Sequence, residues 1–176
     1  MPRKKALHAT ILVTGLLGIL FYVFGILRGA EKATTINETS TSMNYHTNIV
    51  EETRENENFR KVLFTGKKSQ LVVMSISKGG EVGEETHRFT EQTLFFLSGT
   101  GEAELNGKKF AVVAGDVVVV VPGAKHNFRN TGTEPLKLYT VYAPANHIDG
   151  RIHTTKADAD ADAADEAVGS KYQSPI

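Results

Sequence analysis

Between Phe59 and Tyr142 the chain is a succession of short runs rich in Val, Leu, Phe and Thr, broken by Gly-containing turns about every 8–12 residues. No window in this stretch has helical periodicity, so the segment reads as all-β. The runs predict strands at Phe59–Thr65, Leu71–Ser77, Thr86–Phe89, Thr93–Ser98, Glu102–Leu105, Lys109–Val113, Val117–Val121, His126–Asn130 and Leu136–Tyr142. Asn106-Gly107 sits between two of them, and both residues tolerate the positive φ of a type I′ hairpin turn. Val117–Val121 is apolar on both faces, which predicts a strand covered on both sides. A set of short strands like this avoids exposed edges by closing into a barrel or double-sheet jelly roll. The mouth or interior of such a barrel suits a small ligand.

The ends differ from this middle. Ala6–Leu27 holds no Asp, Glu, Lys or Arg, and as a helix it would span about 33 Å, enough for a bilayer core of about 30 Å. Residues 1–28 are therefore expected to be a single-pass transmembrane helix. Arg3, Lys4 and Lys5 place its N-terminus in the cytoplasm. The rival reading is a signal peptide, with the rest secreted after cleavage. The apolar run is long for a signal, and no small-x-small cleavage site stands after Ala30 or Ala33. Residues 29–47 are polar, aperiodic and linker-like. Residues 48–153 form the domain. Residues 154–176, where Ala alternates with Asp between Lys156 and Glu166, read as a solvated acidic tail or short helix, which Thr154 or Thr155 could cap.

Composition removes several kinds of chemistry. There is no cysteine, which excludes disulfides, thiolate catalysis and Cys-ligated metals. Lys and Arg number 20 against 20 Asp and Glu, so nothing points to nucleic acid as a partner.

Two segments combine strand-like flanks with polar groups. In the first, Gly79 to Gln92, residues Glu85 and His87 are two apart and share a strand face. Alternation does not decide whether Glu91 or Gln92 faces inward. In the second, Gly115 to Asn130, a Pro122-Gly123 turn precedes His126. There Lys125, Asn127 and Arg129 share a face that looks solvated, while His126, Phe128 and Asn130 share the other. His147 and His153 flank a turn after the last strand and read as structural.

These segments resemble the paired motifs of the cupin superfamily. Gly79, Glu85, His87, Gln92 and Gly99 fall at the spacings of its first motif, Gly-x5-His-x-His-x(3 or 4)-Glu-x6-Gly. Gly115, Pro122, His126 and Asn130 answer the second, with one extra residue before the proline and Ala124 at the place of a glycine. Phe59-Arg60-Lys61-Val62-Leu63 and Pro135–Pro144 are similar to segments of small single-domain cupins of the mannose-6-phosphate-isomerase-like subgroup.

The resemblance implies a cupin-type jelly-roll barrel, frequent homodimerisation and a divalent metal, Mn, Fe, Ni or Zn. Carried over by position, the ligands are Glu85, His87, Gln92 and His126. Glu85 stands where the family has its first His, and Gln92 where it has Glu. Two imidazoles and a carboxylate suit these ions, whereas an amide oxygen is a weaker fourth donor that Glu91 could replace. The ion would act as a Lewis acid on a small polar, sugar-like molecule, with Glu91 or Glu102 as candidate bases. The same cavity could equally bind a ligand without turnover or belong to a structural module. Catalytic residues are not assigned, because no nucleophile–base pair or cofactor motif is present.

Overall fold

The computed structural model describes residues 44–172. The expected membrane helix over 1–28 and most of the expected linker lie outside them. Among the described residues no helix is long and apolar enough to cross a membrane.

Helix α1 (Ile49–Glu55) comes first, followed by β1 (Arg60–Thr65), β2 (Gln70–Ile76), β3 (Glu85–Thr86), β4 (Glu91–Ser98) and β5 (Thr100–Leu105). Then come β6 (Lys108–Val113), β7 (Val117–Val120), β8 (Lys125–Asn130), β9 (Leu136–Ala143) and β10 (Ile152–His153). Helices α2 (Lys156–Asp160) and α3 (Ala163–Tyr172) close the described chain. The strands form an antiparallel jelly roll of two sheets, ordered β10-β1-β2-β9-β4-β7 and β3-β8-β5-β6.

Alternation decides what the sheets bury. On β4 and β9 every second residue turns inward, so Leu94 and Phe96 meet Leu136 and Leu138 in a core shared with Val72, Met74, Val112 and Phe128. Each such side chain contributes roughly 1.5–3 kcal/mol of hydrophobic stabilisation. The predicted hairpin is present: Asn106 and Gly107 adopt φ of 49° and 80° and join β5 to β6.

Three expectations need correction. The run Val117–Val121, most of it β7, is not covered on both sides: Val117, Val119 and Val121 are 54%, 49% and 55% exposed. The strand lies at the end of the larger sheet, so only Val118 and Val120 reach the core. Asn127 does not lie on a solvated face. It is buried, donating to Glu81 and accepting from the Gly83 N–H. Of the two readings of the acidic tail, the short helix capped at Thr155 holds and the solvated tail does not. Thr155 caps α2 in a capping box with Asp158, Ala159 packs against the core, and Asp165 of α3 is buried. Helix α1 was not expected, because its seven residues carry no apolar stripe. Asn48 caps it, and its Arg54 carbonyl accepts from Lys137 Nζ at 2.6 Å.

Candidate metal centre

Backbone pairing brings the two sequence segments together. Glu85 of β3 is the direct antiparallel partner of His126 on β8, so the two side chains emerge on the same side. His87 follows β3, and its carbonyl accepts from the Gly123 N–H at 2.8 Å, which ties it to the turn before His126. Gly123 takes a φ of +82°, the left-handed conformation that favours glycine. It is therefore Gly123, three residues before His126, that serves as the turn glycine. Ala124 is buried beside it and is not a departure from the motif.

His126 Nδ1 lies 2.9 Å from the Ala124 carbonyl. A carbonyl only accepts, so Nδ1 carries the proton and Nε2 keeps its lone pair. Burial holds this imidazole below its usual range, and His87 adds to that, against the Ala124 carbonyl and Glu85. Burial acts on Glu85 in the opposite sense, raising its pKa. His87, Arg60 and His126 outweigh that and hold the carboxyl down to about 2.

Glu85 Oε2 is 3.3 Å from His87 Nε2 and 3.9 Å from His126 Nε2. One donor atom from each residue lies within 4.8 Å of the others. Donors held about 2.0–2.2 Å from one first-row ion are separated by about 3–4 Å, so the spacing fits. Both Nε2 atoms are buried without a hydrogen-bond partner among the described residues. Unpartnered polar ring atoms this deep are costly unless something fills the point between them. Holding the far ring nitrogen by a backbone carbonyl, as in His126, is the usual arrangement of a metal-ligating imidazole.

Gln92 is buried on the same face as its cross-strand partner Tyr142, whose ring lies 5.8 Å from that of His87. The Gln92 Oε1 is likewise unpartnered. The two carboxylates offered as bases do not share this cavity. Glu91 is exposed, and Glu102 holds Lys109 at 3.0 Å.

A cavity of about 580 Å³ opens beside the triad, within the usual range for small-molecule sites. Arg60, Glu85, His87, His147, Lys156 and Asp165 are among the residues lining it. Arg60, His147, Lys156 and Asp165 were not among the predicted site residues. Arg60 shares strand parity with the buried Val62, a signal that was legible: a cation on an inward face. His147, after β9, and Asp165, on α3, come together 2.8 Å apart across β10 and α2, and no spacing rule announces such a pair.

A family model described as a cupin domain matches residues 72–142. The uncharacterized protein YrkC of Bacillus subtilis is 42% identical over 118 residues, 64% of this chain. That match spans 63% of YrkC, less than two thirds of its length. The crystal structure of BH2720 from Bacillus halodurans superposes with a TM-score of 0.67 at 36% identity, covering 69% of this chain and 97% of that one. An uncharacterized Klebsiella pneumoniae protein with a double-stranded β-helix domain aligns at 26% identity and a TM-score of 0.52. It covers 64% of this chain and 100% of its own.

Proposed function

Because this chain belongs to the cupin superfamily, we propose that its barrel holds one divalent first-row ion on Glu85, His87 and His126, and with it binds or acts on a small polar molecule. The convergence of two unpartnered imidazole nitrogens on one carboxylate carries this reading. The donor set suits Mn, Fe, Ni or Zn. When bound, the ion would supply Lewis acidity toward a carbonyl or hydroxyl oxygen.

The chain's own groups do the rest. Ala124 orients the His126 ring, the Gly123 turn fixes His87, and Gln92 offers a weak neutral oxygen from the barrel wall. His147 donates Nδ1–H to Asp165, which leaves Nε2 as an acceptor on a residue lining the cavity. Such a dyad can accept a proton from a bound ligand, and this observation favours turnover over simple binding. Within the superfamily, the small mannose-6-phosphate-isomerase-like cupins are the subgroup we favour, on the segments already quoted.

Full-length protein purified without a chelating column should carry close to one ion per chain by elemental analysis. Gln92→Glu should hold it more tightly, since an anionic oxygen replaces an amide. A folded, metal-free chain that takes up none of the four ions would remove the proposal.

Residues 1–28 are proposed as a membrane anchor, with the barrel facing away from the cytoplasm. Detergent should then be needed to extract the chain, which should sediment as a homodimer. The exposed valines of β7 make an apolar patch of the kind that marks an interface. Full-length chain in the high-speed supernatant would rule out the anchor, and recovery there of a chain lacking the first segment would support a cleaved signal.

A further inference from the structure

Arg60 helps keep Glu85 and Asp165 charged, yet neither of them satisfies its donors. Its side chain is only 8% exposed, and Nε is buried with no hydrogen-bond partner among the described residues. The two neighbouring carboxylates, Glu85 and Asp165, each stand 3.7 Å from a guanidinium nitrogen. That is ion-pair range but too long for a hydrogen bond. A guanidinium presents five N–H donors in a planar fork, and burying one with its donors unpaired is costly. Something in the cavity is expected to receive them.

Charge selects what that is. Arg60, Glu85 and Asp165 together carry one negative charge. The histidines add none: an ion held on His87 and His126 needs both rings neutral, and His147 gives its Nδ1–H to Asp165. A divalent ion on the centre turns the set into one positive charge. The rim does not cancel it: Glu84 is paired with Lys125 and Asp160 with Lys156, both at 2.7 Å, while Glu166 is exposed to water. A neutral sugar would leave this charge unbalanced and the fork empty. One monoanion with two parallel acceptor oxygens answers both needs.

We propose that the cavity selects a small organic carboxylate, its two oxygens paired with the Arg60 fork beside the metal centre. This rests on the metal reading above, since without the ion the same set repels anions.

The test is calorimetric titration of the metal-loaded full-length protein, its metal content checked after dialysis. Glycerate and gluconate are the probes, with the matched neutral polyols glycerol and sorbitol beside them. The acids should bind at least ~10-fold more tightly than the polyols, and Arg60→Met should lose at least ~10-fold of that affinity while retaining its metal. Should Arg60→Met fail to fold, Arg60→Lys decides. It keeps the charge without the fork and should still bind the acids several-fold more weakly. Polyols binding as well as the acids, or substitutions at Arg60 without effect on a metal-loaded chain, would overturn the carboxylate and leave the metal centre standing. A chain that takes up no metal removes both.

Discussion

His126→Ala is expected to lower affinity for a divalent ion by at least ~100-fold, beyond the ~10–100-fold typical of changes outside the ligand set. His126 contributes an Nε2 lone pair whose direction is fixed by the bond from Nδ1–H to the Ala124 carbonyl. Nothing nearby replaces it, because β8 turns Phe128 inward at the next position of the same face. The metal-free variant should nevertheless fold. Removing the ring opens a cavity, but it also removes a buried nitrogen that lacks a partner. These effects oppose each other, so we expect a loss of less than ~2 kcal/mol, against ~2–5 kcal/mol for truncating a core leucine such as Leu138. Calorimetric titration with Mn(II), Fe(II), Ni(II) and Zn(II), and urea unfolding of the metal-free forms, read the two quantities separately. Equal metal affinity in the variant and the wild type would mean that the histidines are packed interior groups.

The barrel was legible in the sequence because its signals are local. Short runs rich in Val, Leu, Phe and Thr between Gly-containing turns marked the strands, and Asn106-Gly107 marked the hairpin. Glu85, His87 and His126 were picked out by their resemblance to the paired cupin motifs, and the structure sets Glu85 opposite His126. What failed was non-local. The run Val117–Val121 carries no record of its position at a sheet end, so five valines read as a buried strand. Arg60 and His147 approach Glu85 only after β1 and the segment following β9 flank the cavity. Asp165 looked like one more acid in an alternating tail. Its burial depends on partners at positions 60, 147 and 148, which no pattern within 154–176 can indicate.

Asp165→Ala is the second large effect, with an expected loss of ~3–5 kcal/mol. Asp165 accepts from His147 Nδ1 at 2.8 Å and from the Ile148 N–H at 2.7 Å, and it stands 3.7 Å from Arg60. Truncation leaves a buried N–H pair without an acceptor and a buried guanidinium with one carboxylate fewer. Asp165→Asn keeps an acceptor oxygen but not the charge, so it should lose less. The same network gives metal-free protein a pH dependence with a definite sign. Burial holds His147 below its usual 6.5, against the pull of Asp165. As pH falls below about 6.5 the unfolded chain takes up a proton that the folded chain resists, and stability declines until the lower folded pKa is passed. Asp165 adds to this at lower pH. Burial alone would raise its carboxyl, but His147, the Ile148 N–H and Arg60 hold it below 3.8, so its contribution is lost as pH drops through that lower value. Urea midpoints should therefore be flat from pH 8 to about 6.5 and fall below that, with a shallower fall in His147→Phe. Limited proteolysis should cut Asp165→Ala between Asp149 and the C-terminus while the β-sheets stay intact, because α2 and α3 lose their anchor on the barrel. Wild-type resistance and stability in Asp165→Ala would return these helices to the solvated tail that their composition suggested.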